Sequence, residues 1–327
     1  MNLEIFILSI VFIICGLPSF LINIATFIVI IKNQIFRRYH IVAAFVILNN
    51  GLTGLADIGL GITRLIDMNH FDNDQLIDNY YCMLHCSNIL VILFLLDGFG
   101  LLAFSLDRFL MVRFPIMYFK DMRRIVIILL STLYIIPFLI MAISIAIEII
   151  SPPRRISPIC LGHLIYTENT FSVILCMRTL AAALSIPIMI AVVVIMFRKR
   201  QAIVASNRSV TFTNIESFLH RQKDYAITAI WSCSITFFLY ILPAINQLIH
   251  DRLDTFNENE MALYALILGN INSYNIALIF IYRQKNIFKN IKKVFCKFYP
   301  LKKVTTVVPG IENQIVARVI VKPINIE

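Results

Sequence analysis

Seven long apolar runs dominate the sequence, and each is long enough to cross a lipid bilayer as a helix. Crossing the hydrocarbon core takes about 20 apolar residues, because a helix rises about 1.5 Å per residue. The runs are Ile5–Ile31, Ile41–Ile62, Met83–Leu106, Ile125–Ile147, Phe171–Phe197, Ala226–Ile249 and Met261–Tyr282. A segment without regular secondary structure cannot cross the lipid, because its backbone N–H and C=O groups would lack hydrogen-bond partners there. The sequence therefore predicts an all-α fold, a bundle of seven transmembrane helices.

The composition agrees with a membrane protein of many spans. Hydrophobic residues make up 59% of the chain and charged residues only 15%. A soluble domain of this size could not bury the apolar surface of so many hydrophobic residues. The opening Met1-Asn2-Leu3-Glu4 has neither a basic region nor a small-residue cleavage site, so we expect a retained first span rather than a signal peptide. We divide the chain into an outer N-terminus at 1–4, a helical domain at 5–282, an amphipathic helix at 283–296 and a tail at 297–327.

Basic residues cluster in the segments that follow the odd-numbered runs. Most of the 29 Lys and Arg residues lie after the first, third, fifth and seventh runs, and most acids lie in the alternate segments. The positive-inside rule then predicts an extracellular N-terminus and a cytoplasmic tail, and we expect the plasma membrane as the location. In this topology the net charge of +10 faces anionic lipid and a cytoplasmic partner, so it predicts no nucleic-acid partner.

A charged motif ends the third run. Asp107-Arg108-Phe109 lies there and is followed by Phe114-Pro115 and Tyr118. A charged pair is expensive in lipid and belongs where a helix reaches the cytoplasm. The stretch resembles the Asp-Arg-Tyr motif of rhodopsin-like G-protein-coupled receptors. That resemblance implies that Asp107 holds Arg108 at rest, and that Arg108 meets a heterotrimeric G protein when the receptor switches on.

Other motifs of that class are present only in part. Pro243 resembles the kink of the family's helix six, but the usual tryptophan two residues earlier is Ile241, and the helix-seven motif keeps little beyond Asn275. With the short N-terminal segment, these departures make the chain similar to nematode chemosensory serpentine receptors of the Srsx type. The resemblance implies a chemosensory receptor for a small extracellular ligand, without a cofactor.

Two other functions stay open from the sequence. A small-peptide receptor of the same class would share the topology and the motif. A small-solute transporter would use the polar residues of the spans, although the sequence shows no internal repeat. We recognise no metal-binding or nucleophilic constellation, so we predict neither a metal site nor an enzyme.

The chain has seven cysteines, an odd number, so at least one stays unpaired within it. The resemblance implies a disulfide between the outer start of helix three and the loop before helix five, where Cys160 lies. Cys82 and Cys86 are both candidates for its partner, and the family's spacing falls nearest to Cys82. Cysteines oxidise readily outside the cell, which agrees with the predicted topology.

Polar residues recur deep inside four of the runs. Asp97 is eleven residues before Arg108, which places it about 16 Å into the membrane. Such groups are costly in lipid unless they bind one another or water, so the sequence predicts one central network among helices one, two, three and seven. Its expected members are Asn23, Asn50, Asp57, Asp97, Asn272 and Asn275.

One part of this network resembles a sodium site. Leu55-Ala56-Asp57 is similar to the helix-two pattern with which the family binds a sodium ion. The spacing to the helix-three cysteine favours Asp57 for that position, whereas the spacing back to Asn23 favours Asn50. Whether the network holds sodium or is a hydrogen-bonded cluster without an ion stays open.

The outer halves of helices three, five, six and seven are expected to line a ligand cavity. The residues that we expect there are His85, Leu90, Val91, Phe94, Thr179, Ile245 and Tyr264. This lining favours a small ligand that is apolar or weakly polar. Arg178 in the fifth run is charged at membrane depth and is a further functional candidate, unless it only pairs with Glu148.

Residues 283–296 show an amphipathic helical pattern. Ile287, Ile291 and Phe295 share one face, and the lysines lie off it. This pattern is typical of a helix on the inner membrane surface, in contact with lipid. Cys296 ends the segment and is a candidate for palmitoylation.

Overall fold

The computed structural model describes residues 2–70, 76–157, 160–206, 231–252 and 258–283. Seven helices in these ranges are long and apolar enough to cross a membrane, which confirms the prediction of seven candidate spans. Spans 1 to 7 are, in order, Phe6–Lys32, Phe36–Asp67, Cys86–Arg113, Met122–Ile150, Glu168–Lys199, Trp231–Ile249 and Leu263–Tyr282. The segment after Arg283, which includes most of the predicted amphipathic helix at 283–296, Cys296 and the tail at 297–327, lies outside the described residues.

Within those ranges the helices are α1 (Asn2–Lys32), α2 (Gln34–His70), α3 (Asn79–Met83), α4 (Cys86–Arg113), α5 (Pro115–Lys120), α6 (Met122–Ile150), α7 (Gly162–Ile165), α8 (Glu168–Ser206), α9 (Leu242–Arg252), α10 (Glu258–Asn272) and α11 (Asn275–Arg283). Spans 1 to 5 are the apolar parts of α1, α2, α4, α6 and α8. Span 7 runs through α10 and α11. Because α1 begins at Asn2, residues 2–4, which we assigned to an N-terminal segment, belong to the first helix.

Span 6 is not a uniform α-helix. It widens into a π-helical turn at Phe237–Ile241, and α9 follows directly. Pro243 is the second residue of α9, so the proline that we expected to kink helix six comes just after the π-helical turn. A proline cannot donate to the preceding turn, and π-helical turns are frequent at functional sites.

Span 2 extends beyond the apolar run that the sequence predicts. It covers Phe36–Asp67, and the predicted run was Ile41–Ile62. His40 and Arg64, which flank that run, are therefore part of the span, and both are buried. The backbone leaves helical geometry at His40, where φ is −134° and ψ is 23°. Sequence hydropathy places such polar residues in loops, but the neighbouring spans cover them.

Spans 1 and 2 approach each other closely along glycines. Only Asn33 separates α1 from α2, so the two helices lie antiparallel side by side. A β-carbon on Gly16 would come within 2.6 Å of the Gly54 carbonyl oxygen, and one on Gly54 within 2.6 Å of the Phe20 nitrogen. Small residues let membrane helices pack backbone against backbone, which is the main attraction available in lipid.

Span 3 is central in the bundle and packs against spans 2, 4 and 5. Its buried Leu90, Leu93 and Phe94 belong to the largest apolar cluster. The outer faces of the peripheral spans are also apolar, as the exposed Ile14 of span 1 and Ile128 of span 4 show. These faces are suited to lipid contact, because lipid tails are as apolar as the side chains themselves.

A disulfide fixes one end of the bundle, which we name the disulfide end. Cys82 and Cys160 are bonded, with their Cα atoms 5.3 Å apart, and Cys86 is free. The pairing with Cys82 is the one that the resemblance favoured. Two short antiparallel strands lie beside it, β1 (Ile77–Asp78) and β2 (Arg155–Ile156), with Ile77 opposite Ile156. The opposite end, which carries Arg108, is the basic end.

Candidate functional site

At the basic end, the carboxylate of Asp107 is held inside the protein. Asp107 is 1% exposed, the Tyr118 hydroxyl donates to its Oδ1 at 2.6 Å, and Arg108 Nε lies 3.7 Å from its Oδ2. Pro115 starts α5, the short helix that turns Tyr118 back under span 3. Burial, reinforced by the neighbouring carboxylate, raises the pKa of Tyr118, so its hydroxyl stays protonated and remains a donor.

Arg108 reaches from span 3 to span 2. Its guanidinium donates to His40 Nδ1 at 3.0 Å and to the Tyr39 carbonyl oxygen at 3.3 Å. The same guanidinium lies 5.1 Å from the centre of the Phe104 ring. The His40 ring in turn meets the Phe280 ring of span 7 edge to face, with centroids 5.3 Å apart. One arginine thus connects spans 3 and 2, and His40 continues the contact to span 7.

Phe109 points in a different direction from its two neighbours. It packs against Met189 and Val192 on span 5, together with Cys233 at the start of span 6. The three residues of the predicted motif therefore contact three separate neighbours. Asp107 faces α5, Arg108 faces span 2 and Phe109 faces span 5.

The central polar residues form separate groups and not the single network that we predicted. Asn270 of span 7 donates to Asp57 Oδ1 of span 2 at 2.9 Å. About two turns along span 2 from Asp57, Asn49 donates to Asp97 Oδ1 of span 3. Asn50, which we expected in the network, is buried but makes no hydrogen bond to another described side chain. Its neighbour Asn49 faces span 3 instead, since adjacent residues of a helix point about 100° apart.

Two further groups involve span 7. Asn23 of span 1 donates to the Ser273 carbonyl oxygen at 3.1 Å. Asn275 donates to the Ser232 carbonyl oxygen of span 6 at 3.0 Å, and the Thr236 hydroxyl donates to Asn272 Oδ1 at 3.2 Å. Span 6 therefore takes part in the polar core, which the sequence did not predict. Polar contacts of this kind fix the positions of membrane helices relative to one another.

The neighbourhood of Asp57 bears on the sodium ion that the resemblance suggested. Its carboxylate accepts a hydrogen bond from Asn270. In the described part of the chain, no three His, Cys, Asp or Glu side chains come together in a way that could hold a metal ion. The second-span carboxylate has an amide partner, and sodium binding beside Asp57 stays a prediction.

A pocket opens at the disulfide end, between spans 2, 3, 5, 6 and 7 and under the segment 160–163. Its empty volume, including the open mouth and the solvent space beside it, is about 530 Å³. Three of the residues that we expected there line it, namely Leu90, Val91 and Phe94.

Four other expected lining residues lie elsewhere. Ile245 is 40% exposed and Tyr264 is 61% exposed, so both face the outside of the bundle, and Gln247 and Leu266 line the pocket from those spans instead. Thr179 is buried and donates to the Leu175 carbonyl oxygen of its own helix at 2.7 Å. Helical periodicity shows which residues share a face of a helix, but not which face turns toward the pocket. The residues that we expected in the lining of spans 6 and 7 therefore lie on the wrong face of their helices.

His85, the fourth of these residues, is at the mouth of the bundle and not in the pocket lining. Its Nε2 lies 3.3 Å from Asp67 Oδ2, and its Nδ1 accepts from the Ser87 backbone N–H at 3.3 Å. Burial lowers the pKa of His85, although Asp67 opposes that change. His85 therefore caps the start of α4 and ties it to the end of span 2.

Arg178 does not pair with Glu148. The buried Glu148 accepts from Arg154 at 2.9 Å and from the Thr167 backbone N–H. Arg178 instead lines the pocket. Its guanidinium lies 5.5 Å from the centre of the Phe94 ring and 5.4 Å from that of the Tyr240 ring.

Two important residues of these sites could not be recognised from the sequence. Arg64 follows the predicted second run, Ile41–Ile62, yet it is 2% exposed and lines the pocket from span 2. Tyr240, in the π-helical turn of span 6, donates to the Phe94 carbonyl oxygen of span 3 at 2.6 Å. A lone tyrosine in an apolar run carries no signal of such a contact.

No protein-family model matches the chain, and no curated protein matches it. The functional class of the protein is therefore inferred from the residues described above.

Proposed function

We propose that this protein is a receptor of the rhodopsin-like G-protein-coupled class. Seven candidate spans fit a membrane receptor or a transporter. The observation that carries the proposal is the arrangement around Arg108. A buried carboxylate beside it and His40 on another span hold its guanidinium at the basic end. Such an arginine can change partners when the helices move, and that is the requirement for a switch.

In this proposal the disulfide end faces the outside of the cell and the basic end faces the cytosol. The disulfide Cys82–Cys160 supports this orientation, because disulfides persist in oxidising compartments. The excess of basic residues at the other end supports it independently. The plasma membrane is then the proposed location, with a heterotrimeric G protein as the cytosolic partner.

A chain of contacts connects the pocket with span 6. Arg178 on the pocket floor contacts the Tyr240 ring, and Tyr240 lies in the π-helical turn that precedes Pro243. A ligand that moves Arg178 therefore acts directly on the least regular part of span 6. A ligand shifts a two-state equilibrium only as far as it binds one state better, and this contact gives it a place to do so. We propose that a small extracellular ligand, as in chemosensory receptors, acts in this way.

The proposal can be tested without knowing the ligand. The full chain, Asp107→Asn and Arg108→Ala are expressed in cells, their surface levels are measured, and nucleotide exchange is followed on representative Gα proteins of each class. Asp107→Asn removes the charge that holds Arg108 and keeps the side-chain shape, so we expect basal exchange to rise. We expect Arg108→Ala to abolish exchange at an unchanged surface level. Arg113→Ala, an exposed arginine five residues on, is the matched control and should behave as the wild type.

Two outcomes would contradict the proposal. In the first, wild type and Asp107→Asn both reach the cell surface, but neither gives more basal nucleotide exchange than empty membranes. The other is Arg108→Ala and Arg113→Ala losing activity equally, because Arg108 then acts only as one of many positive charges. A solute flux across proteoliposomes that Arg108→Ala removes would favour a transporter instead.

A further inference from the structure

The pocket at the disulfide end is lined by two arginines that approach from different spans. Arg64 comes from span 2 and Arg178 from span 5. Of the other described lining residues, His163 is titratable and the rest are uncharged, and none of them is Asp or Glu. Two guanidinium groups in a cleft with low-dielectric walls make the site attractive to an anion.

Arg178 is the deeper of the two. It is ten residues from Glu168, at the start of span 5, and therefore about 15 Å along the helix. Its Nε is buried and has no hydrogen-bond partner in the described part of the chain. Asp97 is within electrostatic range, but its Oδ1 accepts from Asn49, and no ion pair joins it to Arg178. A guanidinium at such depth retains donors for a further acceptor.

The surroundings of Arg178 hold its guanidinium in place. The Phe94 and Tyr240 rings both lie against it. A β-carbon on Gly98 would come within 2.5 Å of the Arg178 carbonyl oxygen, so this glycine lets span 5 lie directly against span 3 at this level. Arg64 is likewise placed beside the Phe12 ring, 5.3 Å from its centre. A planar guanidinium that is already oriented loses little entropy when it binds a carboxylate through two parallel hydrogen bonds.

We infer that this pocket binds an organic anion, a carboxylate on an apolar or aromatic body, with Arg178 as its main partner and Arg64 nearer the mouth. Leu90, Phe94 and Phe171 supply the apolar contacts for the body of the ligand. This inference rests on the proposed function in one respect, because it identifies the chemical class of the extracellular ligand. It replaces our expectation from the sequence of an apolar or weakly polar ligand.

The experiment measures binding directly. The full chain is reconstituted in lipid nanodiscs, and its thermal unfolding midpoint is followed with the straight-chain carboxylates from butyrate to decanoate and with phenylacetate and phenylbutyrate. Each acid is compared with its own primary amide, which has nearly the same shape but no charge. We expect at least one acid to raise the midpoint in a saturable way and its amide to leave the midpoint unchanged.

Variants then assign the effect to the pocket. Arg178→Gln should weaken binding of the stabilising acid at least about tenfold, since a hydrogen bond to a charged group is lost. Arg178→Lys should recover part of the affinity, because it keeps the charge but not the fork of donors. Arg64→Gln should weaken binding as well. Arg155→Gln, which removes an exposed positive charge from β2 away from the pocket, is the matched control and should bind as the wild type.

The outcomes separate this inference from the proposed function. It is overturned if no acid stabilises the wild type more than its amide does, a result that needs no variant to fold. It is also overturned if Arg178→Gln and Arg64→Gln both bind the acid as tightly as Arg155→Gln. Acid-specific stabilisation without nucleotide exchange in wild type or Asp107→Asn would leave the anion site standing and reject the receptor. Nucleotide exchange without acid binding would leave the receptor standing and reject the anion site.

Discussion

Arg108 and His40 are joined across the basic end, with an Nη atom of Arg108 3.0 Å from His40 Nδ1. An arginine has no acceptor, so Nδ1 is the accepting nitrogen and the imidazole proton is on Nε2. His40 occupies the one position inside α2 where the backbone leaves helical geometry. The irregular turn brings the ring between Arg108 and Phe280, and the arginine is held by a span other than its own.

His40→Ala removes this acceptor and should raise basal nucleotide exchange. A hydrogen bond to a charged group contributes about 1.5–3 kcal/mol, so the balance between resting and active states should shift about tenfold or more. Exchange on purified Gα at a matched receptor level is the measurement. Tyr39→Ala is the control, because Tyr39 offers Arg108 its backbone carbonyl oxygen, which the substitution keeps. Equal basal exchange in both variants would show that His40 does not restrain Arg108.

Removing the disulfide should destabilise the protein, and removing the neighbouring free cysteine should not. Cys82→Ser or Cys160→Ser should lower the free energy of unfolding by about 2–4 kcal/mol. Cys86→Ser is the control, since Cys86 is free and lies close to Cys82 in the chain. The measurement is the unfolding midpoint with and without a reductant. Wild type and Cys86→Ser should lose stability on reduction, whereas a Cys82→Ser variant that reduction still destabilises would contradict the pairing.

The pair Asp57 and Asn270 should contribute more than an average contact between membrane helices. Hydrogen bonds between membrane helices average about 0.6 kcal/mol, but Asn270→Ala leaves a buried carboxylate without its amide donor, which costs about 1–3 kcal/mol. A double-mutant cycle with Asp57→Asn isolates the coupling between the two side chains. Asn50→Ala should cost less, since Asn50 makes no hydrogen bond to another described side chain. Additive effects of the Asp57 and Asn270 changes would refute the pairing.

Gly98→Ala should force spans 3 and 5 apart at the pocket floor. Its new β-carbon would lie 2.5 Å from the Arg178 carbonyl oxygen, and overpacking of this kind costs about 1–3 kcal/mol. Gly100→Ala is the control, because its nearest neighbour is a methyl group of Val46 at 3.3 Å, which can move. Unfolding in nanodiscs compares the two. We expect only Gly98→Ala to lose both stability and binding of the stabilising acid, and equal losses would mean that the contact with Arg178 is not special.

The seven spans could be predicted from hydropathy because length and composition are sufficient for that purpose. The ends of the spans were less predictable. His40 and Arg64 were placed outside span 2 because hydropathy scores each residue alone, whereas burial depends on which neighbours cover it. From the sequence, Cys82 was favoured over Cys86 as the partner of Cys160 only through a family resemblance. In the structure Cys82 is the cysteine bonded to Cys160.

The rotation of each helix was the part that the sequence could not supply. In a soluble protein the polar face of a helix shows which side is exposed, but a membrane helix is apolar both toward lipid and toward its neighbours. For that reason the sequence predicted Asn50 as a member of the polar network, whereas Asn49 is the residue that binds Asp97. It likewise predicted Tyr264 in the pocket lining, whereas Leu266 lines the pocket.

By itself the sequence determined that the chain forms seven helices long and apolar enough to cross a membrane, and where the charged ends of those helices fall. Local composition is enough for this, because each span satisfies its own backbone hydrogen bonds. Only the tertiary structure decided that Arg64 and Arg178 line one pocket and that Arg108 binds His40. These contacts join residues far apart in the chain, and they exist only once the helices have packed at particular rotations against one another.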